Sequence, residues 1–178
     1  AMVLLVCAGL LGKSLYRLLQ VDLGFQPGSL VTLQMAAPDA DFGKEEQAIQ
    51  LAREIETRTK AVPGVEAVGL VAYGGLPLGG NGNTTWFRIL GRPWHGEHNE
   101  SPERDVSSGY FAAVGAKLAR GRYFTEADGP KSPKVVIVNE AMVRQYFPGE
   151  EALGKQISYL SDPPVPMEIV GIIEDLRE

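Results

Sequence analysis

The chain has 178 residues, a net charge of −5, and 44% hydrophobic against 22% charged residues. It is too apolar for a disordered chain, and it is long enough for one domain, or two small lobes, with a real core. The acidic balance without a Lys/Arg cluster argues against a nucleic-acid surface, and the single Cys7 rules out an intrachain cystine scaffold.

Residues 1–12, AMVLLVCAGLLG, carry no charge, and Lys13 and Arg17 follow. A membrane span needs about 20 apolar residues, so this run is too short by itself. No basic segment precedes it and no A-x-A site follows, which speaks against a signal peptide. Leu11, Leu15, Leu18 and Leu19 recur at helical spacing with Lys13 and Arg17 on the other side. Residues 1–20 are therefore expected to be the last turns of a transmembrane helix truncated at residue 1, in preference to a core helix. Residues 21–178 are then the domain proper.

Gly24, Pro27 and Gly28 break the helix, and Leu30 to Met35 alternates as a half-buried strand would. A helix follows, with Asp39 or Asp41 as cap and Glu45 and Glu46 in its first turn. Its apolar stripe is Ala48, Leu51, Ala52 and Ile55, and Pro63-Gly64 ends it. Val65 to Tyr73 reads as a second strand, completing a strand–helix–strand unit long enough for parallel pairing.

GGLPLGGNGN (74–83) is a flexible turn region, TTWFRILG (84–91) a strand, and RPWHGEHNESPE (92–103) a polar loop. Residues 104–128 predict a short strand, a helical turn around Tyr110–Val114, and a loop. Val135–Val138 is an apolar strand, Asn139 a helix cap, and Met142, Val143, Tyr146 and Phe147 the inward face of a short helix stopped by Pro148-Gly149. QISYL (156–160) and MEIVGIIED (167–175) are further strands, with SDPPVP as the turn between them. The pattern points to an α+β protein of two lobes built from split βαβ units.

The motifs with chemical possibilities weigh against catalysis. From Gly149, PGEEALGKQI reads G-x-x-x-x-G-K, the spine of a phosphate loop. A phosphate loop follows a strand and opens a helix; here a helix precedes and a strand follows. Gln156 stands where a hydroxyl should hold magnesium, and Glu150 and Glu151 would repel phosphate. The stretch reads as a helix stop and an acidic turn.

His95, Glu97, His98 and Glu100 suggest a metal only superficially, because Pro93, Gly96, Asn99 and Pro102 make the stretch a loop with no third His or Cys. Both His lie in this loop, there is no G-x-S-x-G elbow, and Cys7 sits in the apolar run. The acid pairs Glu45/Glu46, Glu150/Glu151 and Glu174/Asp175 read as solvated surface. Asn83-Thr84-Thr85 and Asn99-Glu100-Ser101 match a glycosylation sequon that matters only in a glycosylating host. Trp86, Phe87 and Trp94 form an aromatic group, read as core in preference to a groove for a partner. No catalytic, cofactor or metal residue is assigned, and no binding residue is singled out.

Three stretches together resemble the MacB-like periplasmic core domain of ABC-type permeases of the FtsX class. They are VSSGYFAAVGAKLARGRYFTEAD (106–128), VVIVNEAMVRQYFPGEEALGKQI (135–157) and MEIVGIIEDLRE (167–178). The wording is most similar to the duplicated orphan permeases, which carry such a unit without a fused ATPase. The start, LLVCAGLLGKSLYRLLQVDLGF, resembles the end of the first transmembrane helix that enters that domain.

The resemblance implies an extracytoplasmic domain between two transmembrane helices, on the periplasmic side of a bacterial inner membrane, with no catalysis and no cofactor of its own. It implies a porter-like lobe of about 28–75 and 133–178, with about 76–132 inserted as a β-rich lobe. It also implies a separate cytoplasmic ATPase subunit, and another permease subunit or an adaptor protein, as partners. Two other readings compete: a ligand- or partner-binding sensor or scaffold without transport, and a small hydrolase using the 92–103 loop.

Overall fold

The computed structural model describes residues 2–19, 23–25, 27–35, 45–72, 75 and 83–176. The chain is α+β, as expected. An N-terminal helix α1 (Met2–Leu19) is followed by α2 (Glu45–Lys60) and then by a six-stranded sheet. The strands are β1 (Asn83–Ile89), β2 (Asn99–Glu103), β3 (Leu118–Gly121), β4 (Val135–Asn139), β5 (Gln156–Tyr159) and β6 (Met167–Ile173). Two short helices interrupt them, α3 (Tyr110–Val114) and α4 (Glu140–Tyr146).

The sheet runs β2-β1-β5-β6-β3, all antiparallel, and β4 pairs parallel with β6. Glu168 lies between Gln156 and Val135, and Ile173 between Leu118 and Asn139. So β6 is central, with β5 and β3 along one edge and β4 along the other. Strands from 76–132 and from 133–178 are thus hydrogen-bonded into one sheet.

Alternation along the strands sends side chains to two faces. Ile172 and Val138 join a buried cluster with Phe87, Ile157, Ile169, Met142 and Phe147. Their neighbours Ile173 and Ile137 face the other way, into a cluster around Tyr110, Phe111 and Val114. The short helix α4 forms where expected. The Asn139 side chain accepts a hydrogen bond from the Met142 amide at 3.0 Å, which satisfies one of the helix's free N–H groups.

Four expectations need correction. Residues 30–35 are not in a strand, and Val31 and Leu33 are 84% and 80% exposed. Residues 65–72 pair only through an isolated bridge, Val71 with Val106. That segment lies against the start of α3, where a Cβ on Gly69 would come within 2.3 Å of the Tyr110 Cα, and Leu70 and Ala72 bond Ser107 and Asp105.

The polar loop 92–103 contains β2, which Pro102 had disguised. Proline gives no ladder donor, but β2 is an edge strand, where that loss is tolerated. Within 104–128 the only regular strand is β3, which falls in the expected loop. The expected short strand before Tyr110 is reduced to the bridge at Val106. The caps Asp39 and Asp41, and most of the glycine-rich stretch 74–83, lie outside the described residues.

Candidate functional site

The PGEEALGK stretch is a rigid corner between α4 and β5. Gly149 and Gly154 adopt φ of 74° and 77°, which only glycine takes up freely. Phe147 and Ala152 are buried and anchor the corner to the core. The Glu150 amide donates to the Phe147 carbonyl at 3.1 Å, the Gly154 amide to Ile169 at 2.9 Å, and the Lys155 amide to Ala152 at 3.1 Å. Three of the loop N–H groups that a phosphate would need are therefore occupied.

The two acids are also engaged. Glu150 accepts from Arg92 at 3.0 Å, and Glu151 accepts from Arg120 of β3 at 2.9 Å. Arg92 also donates to the Tyr146 carbonyl at 2.9 Å and lies over the Phe147 ring. The corner is thus tied to the turn after β1 and to the edge strand β3.

A second corner, after β3, is held by Arg122 and Asp128. Asp128 also accepts from the Thr125 amide at 2.8 Å and hydroxyl at 2.9 Å. Arg122, with help from Thr125, holds the Asp128 carboxyl far below the usual carboxylate range against the opposing effect of burial. This explains the spacing in RGRYFTEAD, which the sequence showed only as a pattern.

Neighbouring aromatics separate by face. Phe87 is 1% exposed in the core, whereas Trp86 is 48% exposed on the opposite face of β1, so the aromatic group is not all core. The Trp86 ring stacks on His98 with centroids 4.5 Å apart, and the Arg88 guanidinium lies 5.9 Å from the half-exposed Trp94 ring. Tyr159 sits beside the Phe87 core; burial first, then its bond to Glu103, raises its hydroxyl well above the usual range.

The two histidines diverge: His98 packs on Trp86, and His95 contacts Glu97 at 3.2 Å. The His95 amide donates to Glu97 and keeps its carboxyl below the usual range. Among the described residues no three His, Cys, Asp or Glu converge as a metal site. Of the sequon asparagines, Asn83 opens β1, and Asn99 donates to the Phe87 carbonyl at 3.3 Å.

The last feature joins the two ends of the described fold. Gly24 packs so tightly on the residues after β6 that a Cβ there would lie 2.4 Å from the Asp175 carbonyl oxygen. Asp175 in turn accepts from the Ala141 amide at 2.7 Å and from Arg144 at 2.5 Å. Burial opposes its charge, but these two partners prevail and keep its carboxyl below the usual range. An open groove of about 530 Å³ lies beside this junction, between Gly24, the start of α4 and Glu174 to Leu176. Glu174/Asp175 is therefore no simple solvated pair. Sequence reasoning missed this junction, because nothing local marks residues 151 positions apart as neighbours.

Helix α1 exposes Met2, Val3, Leu4, Leu10, Leu11 and Leu15, and Cys7 is exposed on it. Among the described residues no helix is long and apolar enough to cross a membrane.

The family model described as the MacB-like periplasmic core domain matches residues 1–178. The chain is 31% identical over 70 residues to the macrolide export ATP-binding/permease protein MacB of Aggregatibacter actinomycetemcomitans, covering 39% of this chain and 10% of that protein. It is 22% identical over 148 residues to the ABC transporter permease YknZ of Bacillus subtilis, covering 83% of this chain and 34% of that protein. The chain therefore spans a tenth to a third of these relatives. Among solved structures it is similar to the periplasmic region of MacB from Actinobacillus actinomycetemcomitans, at TM-score 0.49 and 18% identity over 70% of this chain and 50% of that one. It is also similar to the extracellular domain of YknZ from Gram-positive bacteria, at TM-score 0.49 and 22% identity over 68% and 56%.

Proposed function

Because the chain belongs to the family of MacB-like periplasmic core domains, we propose that it is the extracytoplasmic domain of an ABC-type permease, without catalysis of its own. On this reading it stands on the periplasmic side of a bacterial inner membrane. Residues 28–75 and 133–178 serve as the porter-like part, and 76–132 is inserted within it while sharing one sheet with 133–178. The apolar surface of α1 is the end of a membrane helix.

The observation that carries the reading is the contact of Gly24 with Asp175. A domain set between two membrane helices needs its entry and exit side by side. Here they touch, and the exit is fastened to α4 through Ala141 and Arg144. A displacement of either end is then passed to α4 and the sheet. Energy comes from ATP hydrolysed by a separate cytoplasmic subunit, with a second permease subunit or an adaptor as further partner.

Affinity purification of the full-length protein from membranes tests this. An ATP-hydrolysing subunit is expected to accompany it. A full-length protein found outside the membrane fraction, with no such subunit, contradicts the reading.

A second reading, partner binding without transport, is supported by the half-exposed Trp86 of β1 and the half-exposed Trp94 of the following loop, over which Arg88 lies, since tryptophan and arginine are enriched at protein interfaces. Recovery of a soluble partner that Trp86→Ala releases, with no ATPase, favours it.

A further inference from the structure

Trp86 and Trp94 are the only tryptophans of the chain, and both are half-exposed. Phe87 and Ile89 point into the core, so Trp86 and Arg88 lie on the outer face of β1. Each ring is fixed from one side. His98 stacks on Trp86, and Arg88 lies 5.9 Å from the centroid of Trp94, whose Nε1 donates to the Glu97 carbonyl at 3.2 Å. Large rings held in place yet half in solvent have the character of interface anchors.

The surface beside Trp86 is acidic. Glu100 of β2 stands opposite Trp86. The Trp86 carbonyl accepts from the Leu160 amide at 3.2 Å, and the Glu100 carbonyl accepts from the Tyr146 hydroxyl at 3.0 Å. The two backbones thus turn away from each other, as in a non-hydrogen-bonded pair, where side chains approach most closely. The Thr84 hydroxyl donates to Glu100 at 2.6 Å and fixes its carboxylate. The arginines nearby are engaged within the fold. Arg88 donates to the Ser161 carbonyl at 3.1 Å, and Arg92 donates to Glu150 and the Tyr146 carbonyl. An electron-rich ring beside a fixed carboxylate attracts a cation and repels an anion.

The outer edge of β2 is blunted. Pro102 has no N–H, and Tyr146 occupies the Glu100 carbonyl. A partner therefore meets side chains here and does not add a strand.

We propose that the outer face of the β1–β2 hairpin, centred on Trp86 and Glu100, docks a lysine- or arginine-bearing segment of a partner protein. Trp94, resting on Arg88, extends the same surface. Such docking rests on the partner-binding reading above and adds the chemistry of the partner. The cationic head pairs with Glu100, while its aliphatic stem covers the exposed part of the Trp86 ring. The net charge of −5 favours encounter with a basic partner.

Calorimetric titration of the chain in non-ionic detergent micelles tests this, with blocked hexalysine as the probe and hexaglutamate and hexaserine as comparisons. Hexalysine is expected to bind, and the emission of the two tryptophans to change in step with the heat. The other two peptides should do neither. Trp86→Ala and Glu100→Gln should each weaken hexalysine about two- to fivefold, the range of exposed cation–ring and ion-pair contacts. Glu66→Gln removes an equal charge from an exposed position outside this surface and should change nothing. Glu100→Gln leaves the ring in place, so the test stands even if Trp86→Ala misfolds. Hexalysine that does not bind overturns the proposal. So does hexalysine that both site variants bind as tightly as the parent, or that Glu66→Gln weakens equally, since net charge alone would then explain it. A soluble partner released by Trp86→Ala, from a chain that ignores hexalysine, keeps the partner-binding reading and overturns the basic partner.

Discussion

Arg122 donates to both carboxylate oxygens of Asp128, Nη1 to Oδ2 at 2.6 Å and Nη2 to Oδ1 at 2.8 Å. The pair closes the turn after β3, and its consequence is a dependence of stability on pH. The native carboxyl of Asp128 ionises well below the unfolded value of about 3.9, so the unfolded chain takes up the proton first as pH falls. The stabilisation is complete above about pH 4 and is lost as pH falls toward the native value. Asp128→Asn is expected to lower the melting temperature at neutral pH by a few degrees, equivalent to about 1 kcal/mol after allowing for the half-exposed Arg122. It also flattens the acid limb of the melting profile. An acid limb unchanged in the variant contradicts this.

Phe87 and Trp86 are adjacent in sequence and opposite in environment. Phe87→Ala leaves a hole in a dense cluster and is expected to cost about 3–5 kcal/mol in denaturant titration. Trp86→Ala removes a ring stacked only on His98 at the surface and should cost within about 1 kcal/mol. Equal costs would show that the two faces of β1 are not distinguished as described.

ATP with magnesium should leave the melting temperature unchanged, and Lys155→Ala should not alter that outcome. The amides of Glu150, Gly154 and Lys155 already serve the chain, and Arg92 and Arg120 hold Glu150 and Glu151 in the corner. A ligand present at a hundred times its dissociation constant adds about 2.7 kcal/mol. A shift of that size, abolished by Lys155→Ala, would restore nucleotide binding.

Gly24→Ala tests the junction of the two ends. The added methyl would meet the Asp175 carbonyl at 2.4 Å on a backbone with φ of 75°, and a backbone atom yields little. A loss of more than about 1 kcal/mol is expected from chemical denaturation. A variant as stable as the parent would mean that the ends do not meet there.

Local signals were the legible ones. Asn139 before a short amphipathic run marked the α4 cap, and the apolar VVIV and EIVGII runs marked β4 and β6. The inverted context of G-E-E-A-L-G-K also sufficed to set aside phosphate binding. What stayed hidden depends on distant partners. β2 reads as a loop because its Pro102 is tolerated only at an edge. β3, with one large apolar side chain in LARG, is a strand because β6 offers it an edge. Residues 65–72 have strand composition but find only the stretch around Val106 to bond. Arg92 and Glu150, and Gly24 and Asp175, are joined by the fold, with no sequence spacing to announce them.

The most direct test of the account is the side of the membrane on which the domain stands. In a full-length protein with Cys7→Ser, a cysteine placed at the exposed Glu97 is offered a membrane-impermeant maleimide. The account predicts labelling in cells whose inner membrane is intact. Labelling only after that membrane is broken would put the domain in the cytoplasm and contradict it.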